Sequence, residues 1–524
     1  MVALAAVSLT VTAPVRVTYP GVYVEEVPGR VGSIIGVSTS VTAFVGAFSR
    51  GPLDEAVQVF SFQDFKREFG GLAADSEASY AVYQFFLNGG SQAWVVRTAG
   101  DDPAPTAAFA DIQDGSGGVA FEVHARSPGA WGNLIRVRVH DSTSSPGDRF
   151  DLVISLTGDP AKPSSTLRTE EFLGLSVNEA DVHYVKTVVN ETSRLIRIDG
   201  LVNGNRPAVE GSPQEELTSG ADGSPPATAD LIGEIACKTG IHALDDVDLF
   251  NILCIPRLAT MLSTDARDVI AAAIDYCEGR KAFFIIDPPG DVATPEEMKS
   301  WVKDAGSSAN AAVYYPRMRV ADPLDDHQFR SVGPSGTIAG LYARTDVTRG
   351  VWKAAAGTEA ALVNVSDLEV LLTNGENGIL NSLGINCLRD FPVIGIVCWG
   401  ARTLAGNDQM GSEWRYVPVR RLALFIEESL IRGTQSVALE PNDETLWAQI
   451  RLNVGAFMHS LFRQGAFQGS TPKDAYFVKC DAETTTQSDI DQGIVSFYVG
   501  FAPLKPAEFS ILKIDWIAAV PTTD

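Results

Sequence analysis

Residues Ser331–Gly357 read SVGPSGTIAGLYARTDVTRGVWKAAAG, and the reading of the whole chain turns on this stretch. Pro334, Gly336 and Gly340 are expected to set tight backbone turns, since proline fixes its φ and glycine tolerates a left-handed backbone. Arg344, Asp346 and Arg349 offer fixed charges that can pair, and Trp352 precedes a run of small residues ending at Gly357. No nucleophile stands beside a base here, so the pattern suits interlocking surfaces better than catalysis.

Shorter strings come after it in order: Trp399–Leu404 (WGARTL), Trp414–Arg421 (WRYVPVRR), Glu440–Asp443 (EPND), Gly465–Pro472 (GAFQGSTP) and Ala502–Phe509 (APLKPAEF). Near the start stands Tyr19–Gly29 (YPGVYVEEVPG). Together with the first stretch they resemble the contractile tail sheath proteins of myovirus-like phages and phage-tail-like injection systems. The matching signature positions are Gly336, Arg344, Asp346, Arg349, Trp352, Trp399 and Arg402; a proline of the pattern is missing, with Ala355 or Ala356 in its place.

The resemblance implies a structural, non-enzymatic subunit with no cofactor. Such a subunit polymerises with copies of itself as rings or a helix around an inner tube protein, and also meets baseplate and tail terminator proteins. It implies assembly in the bacterial cytoplasm as part of a phage tail or tail-like particle, and contraction of a metastable lattice that drives the tube through a target envelope. It also implies an assembly domain made from both chain ends.

Composition is consistent with that picture. At 524 residues the chain is long enough for three or four domains, and 45% hydrophobic content is that of folded protein. Its 65 acidic against 41 basic residues give a net charge of −24, which argues against a nucleic-acid partner. The six cysteines, Cys237, Cys254, Cys277, Cys387, Cys398 and Cys480, form no CxxC pair and read as small buried hydrophobes in a reduced compartment. No segment approaches the about 20 apolar residues needed to cross a bilayer, so direct membrane insertion is not expected.

Periodicity gives an α/β and α+β multidomain chain. Val7, Leu9 and Val11 alternate with polar residues in an N-terminal strand arm (1–20), separated from the rest of the chain by Pro14 and Pro20–Gly21. A first part of the assembly domain (21–100) has strands at 43–47 and 93–97 around a helix at 79–87. A turn-rich segment with strands at 134–140 and 150–156 reads as an inserted β-rich outer domain (101–225). Strands at 249–255, 282–287 and 311–315 alternate with helices at 266–278 and from Thr294, which is a βαβαβ pattern and a parallel-sheet α/β middle domain (226–375). The second assembly part (376–508) has a strand at 394–399 and helices at 419–430 and 442–463. In the second helix Leu446, Ile450, Val454, Phe457 and Leu461 recur at helical spacing. A C-terminal strand arm (509–524) carries Ile511, Leu512, Ile514 and Trp516. Both arms are expected either to pair with neighbouring subunits or to pair at home.

Searches for chemistry return little. HExxH, GxxxxGK[ST] and GxSxG are absent. Asp114–Gly118 reads as a hairpin turn, and Asp489–Gly493 as a structural turn without the Glu of a calcium loop. Asp287–Gly290 reads as a turn at a strand end. The alternative function is an intracellular hydrolase built on the parallel middle domain. Among the arginines, Arg420, Arg421, Arg451 and Arg463 are candidates to dock the inner tube or a neighbouring subunit, or else lie along helix surfaces by their aliphatic stems.

Overall fold

The computed structural model describes residues 34–143, 147–158, 165–201, 204–209, 215–437 and 440–508. The strand arms expected at Val7–Thr12 and Phe509–Ile517, and the Tyr19–Gly29 string, lie outside the described residues.

The centre is an eight-stranded sheet made of β1 (Thr42–Gly46), β2 (Ala56–Val59), β3 (Ala93–Arg97), β4 (Ile252–Cys254), β5 (Phe283–Ile286), β6 (Ala311–Tyr315), β7 (Ile385–Phe391) and β8 (Gly395–Cys398). Its spatial order is β8-β7-β6-β5-β4-β1-β3-β2. The six inner strands are parallel; the edges β8 and β2 are antiparallel to their neighbours. The strands are short apolar runs because both faces are covered, as parallel sheets require.

Side chains alternate between the faces. Ala43, Leu253, Phe284 and Val313 point into one core against the helices Ser263–Arg280 and Pro295–Asp304. Phe44, Cys254, Ile285 and Ala312 point into the other, under helices α1 (Glu77–Leu87) and α2 (Ser335–Arg349). A further layer consists of α3 (Val417–Gly433) and α4 (Glu444–Arg463). Helix α3 joins the layers, because Val417 and Leu424 enter the second core while Leu422, Ile426 and Leu430 pack with Ile450, Val454 and Met458 of α4. The stripe of α4 read from spacing is the buried one. Beside α4 lies the two-stranded antiparallel hairpin Tyr476–Lys479 and Tyr498–Phe501.

The segment read as the first part of an assembly domain is not separate in the fold from the middle α/β segment. Strand β1 hydrogen-bonds to β3 on one side and to β4 on the other, so residues 42–97 and 252–315 share one sheet, which β7 and β8 extend. Residues 108–217 form a core of their own between two antiparallel sheets. The chain enters and leaves this unit at one place, where the Gly100 N–H donates to the Ser224 carbonyl at 2.8 Å.

Three local expectations are corrected. Gly336 and Gly340 make no turns: they sit one helical turn apart in α2, where a Cβ would lie 2.2 Å from the Ala81 carbonyl oxygen and 2.5 Å from that of Phe85. They let α2 approach the backbone of α1. Gln487–Asp491 is a short helix capped by Thr486. Cys237 is exposed; the other five cysteines are buried, and all six are free thiols. Among the described residues no helix is long and apolar enough to cross a membrane.

Candidate functional site

Two of the signature residues, Asp346 and Arg402, sit in ion-pair clusters at the seam between the sheet and the α3–α4 layer. Asp346, near the end of α2, receives hydrogen bonds from Arg421 of α3: Nη1 to Oδ1 at 3.0 Å and Nη2 to Oδ2 at 2.6 Å. The Thr39 hydroxyl donates to the same carboxylate at 2.6 Å, and Arg421 Nη2 also donates to the Thr39 carbonyl at 2.8 Å. The guanidinium lies 4.5 Å from the centre of the Tyr342 ring. Burial alone would lower the Arg421 pKa, but Asp346 more than reverses this and leaves it raised. The cluster therefore ties α2, α3 and the chain just after Ile34 to one another.

A second cluster surrounds Arg402, whose side chain is 1% exposed. Its Nε and Nη2 each donate to one oxygen of Glu508 at 2.7 Å. Its Nη1 donates to the carbonyls of Asn381 and Gly406 and to Asp408 Oδ1, at 2.9, 3.1 and 2.9 Å. The Tyr416 hydroxyl donates to Glu508 Oε2 at 3.1 Å. Burial would raise the Glu508 pKa; the Arg402 guanidinium outweighs it and holds the carboxylate below its usual range.

Between the clusters runs the stretch Arg349–Gly357. Arg349 pairs with Glu359 at 2.6 Å, and Arg344 donates to the Ala361 carbonyl. Trp399 packs its ring 4.6 Å from that of Phe391. Two clefts flank this stretch. One of about 870 Å³ is lined by Trp352, Lys353, Trp399, Tyr416 and residues 504–508. The other, about 850 Å³, is lined by Ile34, Val347, Trp352, Phe425 and Phe457. Ile34 and Glu508 thus border adjoining clefts.

The four arginines expected to dock a partner separate. Arg421 is corrected: a side chain 6% exposed and paired inside its own subunit has no face to offer. Arg420 donates to Asn310 Oδ1 at 2.8 Å and lies 4.9 Å over the Trp414 ring, so its own subunit holds it too. Arg451 bonds Glu444 at 2.6 Å and the Cys480 carbonyl, and stays half-buried. Arg463, at the end of α4, is exposed.

At the carboxyl ends of the parallel strands, where a doubly wound sheet holds ligands, Cys254, Asp287 and Ser335 are all 0% exposed. The Ser335 N–H donates to Asp287 Oδ1 at 2.7 Å, so Asp287 caps the start of α2. Desolvation pushes its pKa up to about 7. Buried in this way, none of the three groups is open to a substrate. The roles of Asp287 and Glu508 are not legible in the sequence. Their partners lie 48 and 106 positions away, and only the presence of Arg402 and Glu508 in two of the quoted strings hints at a link.

Compared with protein-family models and with curated protein sequences, the chain matches none. Solved structures do match. A chain of the anti-feeding prophage (AFP) baseplate aligns at 24% identity and TM-score 0.57 over 96% of this chain and 100% of that one. The sheath of an extracellular contractile injection system (PVC), in its contracted state, aligns at 23% identity and TM-score 0.58 over 96% and 98%. A sheath tail protein from Listeria innocua aligns at 13% identity and TM-score 0.59 over 90% and 96%. Over nearly its whole length the chain has the fold of the contractile tail sheath proteins.

Proposed function

We propose that this chain is the sheath subunit of a contractile tail or tail-like injection particle. It polymerises with copies of itself around an inner tube and contracts to drive that tube through a target envelope. The observation that carries the reading is the end-to-end likeness to sheath chains, one of them in a contracted assembly. A shared fold does not by itself fix function, but the interior here is consistent with the reading. Its charged pairs are spent on joining layers, and the carboxylate at the strand ends is sealed.

Assembly runs through the chain ends. The hairpin of Tyr476–Lys479 and Tyr498–Phe501 is a two-stranded sheet, with Phe477 and Tyr498 each 59% exposed. Such a pair is marginal alone and leaves unpaired strand edges that another chain can extend. Val7–Thr12 and Phe509–Ile517 of neighbouring copies are the strands proposed to add there. A head-to-tail contact of this kind does not close on itself and yields a helix. Arg463, with Arg451 behind it, is the basic position left to meet the tube; baseplate and terminator proteins meet the ends of the sheath. Assembly takes place in the bacterial cytoplasm, and the energy of contraction is stored in the lattice. Negative-stain electron microscopy of the purified chain tests the reading: it predicts tubes or rings, and monodisperse particles at all concentrations would count against it.

A further inference from the structure

We propose that Arg402 is a positioning residue that pins the chain at Glu508 to the parallel sheet, so that the C-terminal arm, proposed above to add to a neighbouring subunit, starts from a fixed point. The inference rests on the sheath reading and adds to it the point at which a subunit is gripped.

The geometry places Arg402 between two anchors. Its main chain is held on both sides by Asn386 of β7: the Arg402 N–H donates to Asn386 Oδ1 at 2.6 Å, and Asn386 Nδ2 donates to the Arg402 carbonyl at 2.7 Å. Asn386 Nδ2 also donates to the Val313 carbonyl of β6 at 3.1 Å. Arg402 is thus fixed to two inner strands. Its side chain then takes Glu508 by both carboxylate oxygens, the pairing that guanidinium geometry makes strongest and most directional.

The position of Glu508 gives the pair its meaning. Backbone pairing with Ala475 and Gln468 reaches Ala502, and Pro503 and Pro506 stand between there and Glu508. Neither proline has an N–H, so a continuous backbone ladder does not carry the chain from Ala502 to Glu508. The Arg402 pair and the Tyr416 hydroxyl supply a side-chain tie at that point. With the guanidinium 1% exposed and Glu508 at 16%, salt screens the pair little.

Glu508→Gln tests the role. Arg402 keeps Asp408 and two carbonyls, so the variant subunit is expected to fold and melt within a few degrees of wild type. Tube yield under matched conditions, counted by electron microscopy, is expected to fall at least tenfold. A loss at unchanged melting temperature is what a merely structural pair would not produce. Wild-type yield from a Glu508→Gln variant overturns the anchor. Should that variant melt well below wild type, Tyr416→Phe decides, because it removes a single hydrogen bond to Glu508; an intermediate yield supports the anchor and an unchanged one overturns it. If wild type itself forms no tubes, the sheath reading fails and the anchor falls with it, an outcome distinct from equal tubes in wild type and variant.

Discussion

Asp346 and Arg421, 75 residues apart, form a double hydrogen bond with side chains only 4% and 6% exposed. A buried pair of this kind is a poor source of net stability, because removing two charges from water costs about as much as their attraction returns. Its effect is conditional: each charge is tolerable only while the other is present. The pair fixes how α3 sits on α2, and through Thr39 it holds the chain just ahead of β1.

Asp346→Asn should therefore destabilise the subunit strongly, by about 3–5 kcal/mol, because Arg421 is left charged and unpaired. Denaturant unfolding measures it. Replacing both residues with apolar side chains of similar volume should recover much of the loss, and additive losses in the double variant would contradict the coupling.

Gly336→Ala should cost roughly 2–3 kcal/mol, since the new methyl meets the Ala81 carbonyl and the helices must part. In an exposed helix the same change would stabilise. A melting temperature at or above wild type would show that close approach of α1 and α2 is not what this position requires.

Asp287 gives a pH dependence with a definite sign. Its folded pKa, raised to about 7, lies above the unfolded value, so the folded state binds the extra proton. The stability this contributes is complete below about pH 4 and is lost as pH rises through about 7. Asp287→Asn removes the titration. The variant should gain stability relative to wild type as pH climbs from 4 to 8, by on the order of a few kcal/mol. A difference between the two proteins that is flat with pH would contradict the shift.

Replacing residues 101–225 with a short Gly/Ser linker should leave tubes intact. Their core is their own, and the Gly100–Ser224 hydrogen bond shows that the ends to be joined already touch. Failure to assemble in a variant that still folds would place lattice contacts on this unit.

Much of this fold is legible in the sequence wherever one local rule acts alone. The stripe of α4 comes from spacing, and strands such as Phe283–Ile286 come from short apolar runs between helices. Reading fails where a residue answers to a distant partner. Gly336 and Gly340 read as turn formers because a glycine in a turn and one under a crossing helix are the same letter; only the carbonyls of Ala81 and Phe85 distinguish them. Arg421 reads as a surface cation because Asp346 is remote in sequence. The grouping of β1 and β3 with β4 is hidden because the turn-rich segment between them suggests a boundary, whereas the sheet closes across it.

The central claim is that the chain ends join subunits and do not complete their own. Deleting residues 1–18 and, separately, 509–524 tests it most directly, with melting temperature and polymer formation measured on each variant. The account predicts subunits that fold, melt near wild type and form no tubes, because the hairpin of Tyr476–Lys479 and Tyr498–Phe501 loses the strands proposed to extend it. Normal tubes from both truncated chains would contradict it.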